Sequence, residues 1–543
     1  MSLDIEIKGH SGCQVRVVQE GDGLYVLKST TDVSYLKRLL RQADKQQKAS
    51  LVEHQHIRVP KIYTVNSDES SASIKMQYVY SRNFIEFMEQ AGFEQVEYLV
   101  DALKNFLEYE IRQSPVSEVP SRLFQEKFSD IKRKAEKNDL LQSEDFHEIL
   151  EKAEWHFANL SSCLTLPMGL CHGDLTFSNI LFNGNNYYLI DFLDNFIETP
   201  LQDIVKLRQD TAFRWSQLMY TKRFDAVRLH IVCDKIDREI DSYFRENYKW
   251  YCDYYQTMQL MNILRILPYV HEKRVADYLR NVLQSILRNE REQKESIVEK
   301  ATKSTTVAKS HRASLLIPAA ADKQEYKDGL PYVFSLDKDG FSPCVKSILG
   351  LDYRQFNQIY VAILKKHNEK FAVHELLKPQ FKRLGVTNAK IVILDTPTRD
   401  QAETVYETIR QENICGSIFI KDADSYFKIS ELLANGIAIY PIEELPVLIP
   451  QDKSYVAVDD MAYVTNIIEK SIVGHYISAG GYAFDESVDF CNYYLKLRRY
   501  GKLYLSHILY SMLLNKKTFR PIEVQDYQDW GTANAWHKEN EMR

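Results

Sequence analysis

Two short stretches carry residues whose type and spacing could do chemistry. CHGDLTFSNIL (171–181) sets a His, an Asp and an Asn along one loop, and YYLIDFLD (187–194) puts Asp191 directly after a β-run, Tyr187–Ile190. Phosphoryl transfer asks for few protein parts: a carboxylate to orient a hydroxyl and take its proton, oxygen ligands for magnesium on the phosphates, and a cation with backbone amides to hold those phosphates. Asp174 suits the first task. Asn179, five residues on, is far enough along for the loop to turn and offer a metal ligand, and Asp191, one hairpin away at a strand end, suits a second. Upstream, GHSGCQVRV (9–17) is a turn holding Gly9 and Gly12 between two strands, and LYVLK (24–28) ends on Lys28. That is a turn able to close over phosphates followed by a strand bearing a cation. The plainer readings are an ordinary hairpin turn and a surface lysine.

HGDLTFSN resembles the HxDxxxxN catalytic loop of the aminoglycoside phosphotransferase and choline kinase superfamily, and IDFLD resembles its metal-binding Asp segment. The resemblance spans about residues 1–295 and implies an α+β kinase-like two-lobed domain, with an N-lobe at about 1–90 and a C-lobe at about 91–295. Carried over, it makes Asp174 the catalytic base, His172 the brace of the loop, Asn179 and Asp191 ligands of Mg2+, and Lys28 the cation on the α/β-phosphates of ATP. The hinge falls near Met76–Tyr80, so Met76 and Tyr78 would flank adenine. A small hydroxyl compound rather than a protein is the implied substrate. The kinase lysine usually pairs with a helix acid. The helix at 36–50 offers Asp44, Gln46 and Gln47, with Glu53 just beyond, and the choice stays open. Asp194, Glu198 and Asp203 could attract a cationic substrate such as an amino alcohol, but read more simply as surface charges.

The second half holds a different set. Joining an NTP to a phosphate monoester requires two carboxylates fixing magnesium between the reacting phosphates and cations that neutralise the developing charge. LLIPAA (315–320), DQAETVY (400–406), SIFIKDADSYF (417–427) and YQDWGT (527–532) resemble segments of the sugar-nucleotide pyrophosphorylase and cytidylyltransferase families. The resemblance implies an α/β nucleotidyltransferase-like (GT-A/Rossmann-like) domain over 312–543, with Gln401 in the nucleotide pocket, Asp422 or Asp424 as one metal ligand and Asp529 as the other. Lys346, as a catalytic cation, and Lys470 are candidates for the phosphates of a second NTP, whether CTP, UTP or GTP. The chain departs from these families at AAADKQEYKDG (319–329). Ala321 stands where a glycine is expected, no arginine follows, and Lys323 is the cation available instead. Close backbone approach to a triphosphate is easiest with glycine, so a domain that kept the fold but only binds is the alternative.

These residues need elements to hold them. Strand-like runs with turns occupy the first 90 residues, interrupted by one helical pattern in which Leu36, Leu39, Leu40 and Ala43 share a face. Helical patterning resumes from about 95, with the Leu99, Leu103, Phe106 and Leu107 stripe, and from about 202 to 295, where Met258, Met261 and Leu264 read as plain core. Residues 296–311, polar and without period, read as an interdomain linker. Beyond them, runs at 314–320, 358–364, 390–395 and 417–422 read as buried strands separated by helices, which predicts a parallel α/β sheet.

Composition narrows the function classes. A net charge of −6 gives no general attraction to nucleic acid or anionic membrane. The eight cysteines stand singly without a CxxC pair, and the fourteen histidines lack metal-ligand spacing, which fits reduced thiols in a cytoplasm. No run of apolar residues is long enough to span a membrane. The expectation is a bifunctional enzyme: a kinase phosphorylating an alcohol, amino alcohol or sugar, and a nucleotidyltransferase activating that product, the two-step logic of building blocks for bacterial surface polysaccharides. The alternatives are a kinase with a silent C-terminal domain and a scaffold with both sites silent.

Overall fold

A computed structural model describes residues 4–7, 13–292, 312–320 and 329–542. Gly9, Gly12, Ala321, Lys323 and the linker at 296–311 lie outside the described residues. The chain forms two compact units. Met1–Met88, Gln95–Phe224 and Val232–Thr302 make the first, and Glu89–Glu94, Asp225–Ile231 and Lys303–Arg543 the second. No described helix is long and apolar enough to cross a membrane.

The first unit opens with β1 (Asp4–Ile7), β2 (Gln14–Glu20), β3 (Gly23–Thr30), α1 (Val33–Ala49), the short β4 (Ile57–Arg58), β5 (Ile62–Ser67) and β6 (Ala72–Gln77). Five of these strands form an antiparallel sheet in the order β1-β2-β3-β6-β5. α1 starts at Asp32, whose carboxylate accepts the Ser34 N–H at 2.9 Å. It buries Leu36, Leu39 and Ala43 against Ala72, Ile74 and Met76 of β6, each leucine contributing roughly 2 kcal/mol. The same face carries two buried amides, Gln42 and Gln46.

The remainder of this lobe pair is mostly helical: α2 (Phe84–Gln90), α3 (Phe93–Arg112), α4 (Arg122–Ala135), α5 (Glu144–Ala158), α6 (Pro200–Thr211), α7 (Trp215–Leu218), α8 (Ala226–Asn247), α9 (Lys249–Leu264) and α10 (Lys273–Glu292). Between them lie two small sheets. One pairs β7 (Val116–Pro120) with β8 (Cys163–Pro167); the other, ordered β4-β10-β9, contains β9 (Ile180–Asn183) and β10 (Asn186–Leu189). The expected stripes are core: Leu99, Leu103, Met258 and Leu264 are fully buried.

α6 is the helix on which the loop at 171–181 rests. Thr199 caps it, accepting the Leu201 N–H at 3.3 Å, and Pro200 opens it. Eleven of its twelve residues are buried, all but Lys206 and polar ones included, so something must hold its charges. Arg208 does this on one side. Its guanidinium grips Asp237 of α8 through two bonds at 2.9 and 3.0 Å, meets the Tyr251 hydroxyl at 2.8 Å and pairs with Asp241.

The second unit contains β11 (Ser314–Pro318), α11 (Pro343–Lys346), β12 (Ile359–Leu364), α12 (Lys365–Phe371), α13 (Val373–Arg383), β13 (Ala389–Leu394), α14 (Gln401–Glu412), β14 (Ile418–Lys421), β15 (Ser425–Lys428) and β16 (Gly436–Pro441). It continues through β17 (Ser454–Val458), β18 (Val464–Glu469), β19 (Tyr476–Phe484), α15 (Ser487–Leu497), α16 (Leu505–Leu514), β20 (Arg520–Glu523), β21 (Gln525–Asp529) and α17 (Ala533–Met542). The main sheet runs β13-β12-β11-β14-β19-β16-β20. The four strands expected from sequence all form and pair in parallel. The sheet is nevertheless mixed, because β19 pairs antiparallel to β14 and to β16. β15 and β21 form a separate antiparallel ribbon.

Removing Arg208 leaves Asp237 without its ion partner and Asp241 with only Arg245 and the Tyr251 hydroxyl. Arg208→Met should cost about 3 kcal/mol, read as a lower denaturation midpoint of the full chain. Arg208→Lys should fall between the two, since a lysine cannot reproduce the two-pronged grip.

Candidate active sites

In the first unit, the loop at 171–181 is held by backbone hydrogen bonds to buried carboxylates. Asp203, in the first turn of α6 and fully buried, accepts the N–H groups of both His172 and Gly173, the latter at 2.7 Å. One turn and more further along, Asp210 accepts the Phe177 N–H at 2.6 Å and the Ser216 N–H at 2.8 Å. Burial pushes both carboxyls up to about 6. Behind Asp203 stands Glu110 of α3. Burial, and then the charge of Asp203, push it well above its usual value. Gly173 has φ +93°, and a Cβ there would sit 2.1 Å from the Leu193 carbonyl oxygen. Only glycine lets the two segments approach this closely.

This framework corrects one expectation. Of Asp194, Glu198 and Asp203, only Asp203 departs from the surface charge that the sequence suggested. Asp203 is internal, Glu198 takes the Lys45 ammonium at 2.7 Å, and Asp194 pairs with Arg41 at 3.5 Å.

His172 is fully buried and burial lowers it to about 4, so the ring is neutral. Its Nε2–H donates to the Ile190 carbonyl at 2.9 Å, and its Nδ1 accepts the Asp174 N–H at 3.2 Å. The ring thereby ties Asp174 to the residue preceding Asp191. The Asp174 carboxylate receives the Asn179 amide at 2.9 Å and the Lys206 ammonium, from α6, at 3.0 Å. Burial works to raise it, but Lys206 outweighs burial and the carboxyl lies below its ordinary value. Asp174 is therefore ionised and able to take a proton.

Asn179 spends its amide hydrogens on the Asp174 carbonyl and carboxylate, which leaves its own oxygen as a metal donor. Asp191 holds a left-handed backbone, φ +61°, uncommon for a non-glycine residue. Its carboxylate meets the buried Lys28 ammonium at 2.8 Å. The helix partner of Lys28 is Gln42, at 3.4 Å, not an acid. Gln46 is bonded to the Pro60 carbonyl instead. Met76 packs in the sheet core, and Tyr78 lies half-buried two residues on. Among the described residues no three His, Cys, Asp or Glu side chains converge as a metal site. Asn179 and Asp191 fit a magnesium that takes its remaining oxygens from phosphates and water.

In the second unit, three candidate acids lie near enough to feel one another's charge, without converging as a metal site among the described residues. β15 and β21 pair so that Ser425 faces Asp529, and the Trp530 N–H bonds the Asp424 carbonyl at 2.8 Å. Asp424 receives the Tyr332 hydroxyl at 2.7 Å, and Asp422 the amide of Gln401. Burial and then the charge of Asp424 raise Asp422, with Asp529 adding to it. Asp529 is paired with Lys453, which also donates to the Tyr527 hydroxyl at 3.0 Å. Lys453 lies in no motif, and register alone delivers it. Gly480, φ +85°, was also unflagged: a Cβ there would sit 2.4 Å from an Asp422 carboxylate oxygen.

The two candidate lysines sit differently from expectation. Lys346 ends α11 and binds the buried Asp337 carboxylate at 2.7 Å. Lys470 has its backbone N–H on the Lys453 carbonyl at 2.8 Å and its ammonium 5.4 Å from the Tyr504 ring.

The first unit is a small antiparallel sheet followed by a mostly helical part, and the second unit is a mixed α/β sheet. Residues 7–234 match the model of the phosphotransferase enzyme family, APH. Similar solved structures include a thermostable mutant of aminoglycoside phosphotransferase APH(4)-Ia, a ternary complex with AMP-PNP and hygromycin B. It is 11% identical, covers 53% of this chain and 94% of that one, with a TM-score of 0.38. The nucleoside-diphosphate-sugar pyrophosphorylase from Vibrio cholerae RC9 is 17% identical and covers 42% of this chain and 99% of that one, with a TM-score of 0.35. Apo UDP-glucose pyrophosphorylase is 9% identical, covering 42% and 97%, with a TM-score of 0.34. No curated protein matches the chain.

Lys206 holds Asp174 ionised against burial, so Lys206→Met should raise the carboxyl and move the acidic limb of the kcat/KM profile to higher pH; a profile that stays in place removes Lys206 from this role. Gln42→Ala breaks one hydrogen bond worth about 1 kcal/mol and should raise the KM for ATP less than tenfold, whereas Lys28→Met, which strips Asp191 of its partner, should cost far more.

Proposed function

We propose that the chain is a bifunctional enzyme: a Mg2+- and ATP-dependent kinase of a small hydroxyl compound, and a nucleotidyltransferase that joins the resulting phosphomonoester to an NTP. The observation that carries the first activity is the convergence of the ionised Asp174 with Asn179, Asp191 and Lys28 on one loop framework. Asp174 takes the proton of the attacking hydroxyl, Asn179 and Asp191 hold magnesium, and Lys28 grips the nucleotide phosphates. Met76 and Tyr78 mark the hinge, with Gly9 and Gly12 proposed for the loop over the phosphates. For the second activity, Asp422, Asp424 and Asp529 are the proposed metal ligands, Gln401 a pocket residue and Lys453 the cation nearest the chemistry. Consecutive reactions on one chain would supply activated building blocks of the kind surface polysaccharides use.

One observation favours a second reading of the C-terminal unit. Each of the three acids already has a protein partner, in Gln401, Tyr332 and Lys453, an arrangement also suited to a domain that binds nucleotide without turning it over.

A product screen by mass spectrometry decides between them, offering ATP, Mg2+ and a panel of hydroxyl compounds with CTP, UTP and GTP in parallel. The bifunctional reading expects a phosphorylated product that becomes nucleotide-linked with one of the three. Arrest at the monophosphate, with no exchange of labelled pyrophosphate, leaves the kinase and a silent second unit. Asp174→Ala should remove phosphorylation by several orders of magnitude while sparing ATP binding, and Asp529→Ala should abolish only nucleotidyl transfer.

A further inference from the structure

A cavity of about 770 Å³ in the first unit opens on Lys206, whose ammonium lies 3.0 Å from the Asp174 carboxylate. Its walls are strongly cationic. α1 contributes Lys37, Arg38 and Arg41, α4 contributes Lys127 and Lys134, and Arg265 enters from just beyond α9. With Lys206 that makes seven cations against two acids, Asp130 and Asp194. Both acids are engaged: Asp130 holds Arg133 and Lys134 at 2.7 Å each, and Asp194 holds Arg41.

The other cations, apart from Lys206, form no ion pair among the described residues, although Asp174 acts on Arg265 and Asp130 on Lys127. Arg38 lies 5.4 Å from the Tyr35 ring, and Arg265 donates to the Asn195 side-chain oxygen at 3.1 Å. Lys37 and Lys127 have no ion-pair partner among the described residues. Burial, and then the charge of Arg265, lower Lys127, and burial lowers Arg265 itself. Cations held partly out of water around one space repel each other, and an anion placed there relieves both costs. Lys28, Asn179 and Asp191 do not line the cavity, and Asp174 borders it through Lys206 and Arg265, whose charges it meets.

We propose that the compound phosphorylated by this unit is itself an anion, a small hydroxyl compound already bearing a carboxylate or phosphate group. Arg38, Lys127 and Arg265 hold that group while the hydroxyl meets Asp174. The volume suits a sugar-sized molecule. An amino alcohol would bring a cation to a wall of cations. This inference rests on Asp174 being the base of a kinase.

Titration calorimetry on the full chain saturated with Mg·ADP tests it, with glucuronate, glucose 6-phosphate, glucose and choline as probes. At least one anionic probe should bind about tenfold or more tighter than glucose or choline. Arg38→Glu and Lys127→Ala should each weaken that probe by about tenfold, with Mg·ADP affinity and melting temperature unchanged. Preference between glucuronate and glucose 6-phosphate identifies the group as carboxylate or phosphate. The proposal is overturned if neither anion binds, if glucose or choline binds as tightly, or if anion binding ignores both substitutions. Failure of the kinase reading looks different: no binding of Mg·ADP, with the anion still bound and still weakened by the same two substitutions.

Discussion

The first unit depends on one buried carboxylate. Asp203 takes the backbone N–H groups of His172 and Gly173, fixing the loop just before Asp174. A backbone N–H pair aimed at a carboxylate in the interior is stronger than one in water, and correspondingly costly to leave unmade. Burial raises Asp203, and the Lys45 ammonium and then the two backbone N–H groups oppose it. Asp203, Lys206 and Asp210 fall at helical spacing on α6, and each touches the loop: at its start, at the Asp174 side chain, and at Phe177. The loop's shape is thus a property of one helix, and Arg208 fastens that helix to α8 and α9.

The second unit solves the same problem with strands. Its acids are carried at the end of β14 and on the β15–β21 ribbon, so pairing register decides whether they meet. A slip of one residue would turn Asp529 to the other face. Gly480 permits the close approach of β19 to Asp422, and burial among like charges is why Asp422 titrates high. One unit fixes its acid with helix-borne partners and keeps it ionised; the other crowds its acids until one of them resists ionising.

Local chemistry was readable in the sequence, and long-range partners were not. HGDLTFSN and IDFLD identify themselves because loop and strand end are contiguous, and the four parallel strands follow from their apolar runs. Gln42 was not singled out among Asp44, Gln46, Gln47 and Glu53, because which helix residue meets Lys28 depends on rotation about the helix axis, which spacing alone leaves undetermined. α6 misled because its polar residues have the pattern of a solvated face yet are buried on all sides. Lys346 was singled out for its charge, but a lysine within reach of the buried Asp337 has a partner already. Lys453 had no local signal, since only the fold brings it 76 residues along the chain to Asp529.

That last distinction, between a charge that is present and a charge that is free, decides what the phosphotransferase unit can bind. Counting acids after Asp191 suggests a site for a cation. In the folded unit Asp203 is spent on backbone, Glu198 on Lys45 and Asp194 on Arg41. The lysines and arginines facing the cavity outnumber the acids facing it, and those acids are engaged. Net charge says nothing of this, because a chain at −6 can still present a cationic surface wherever its carboxylates are turned inward. The internal acids that order the loop at 171–181 and the cations that line the cavity are therefore two sides of one arrangement: each carboxylate used to hold the loop is one fewer available to balance the wall.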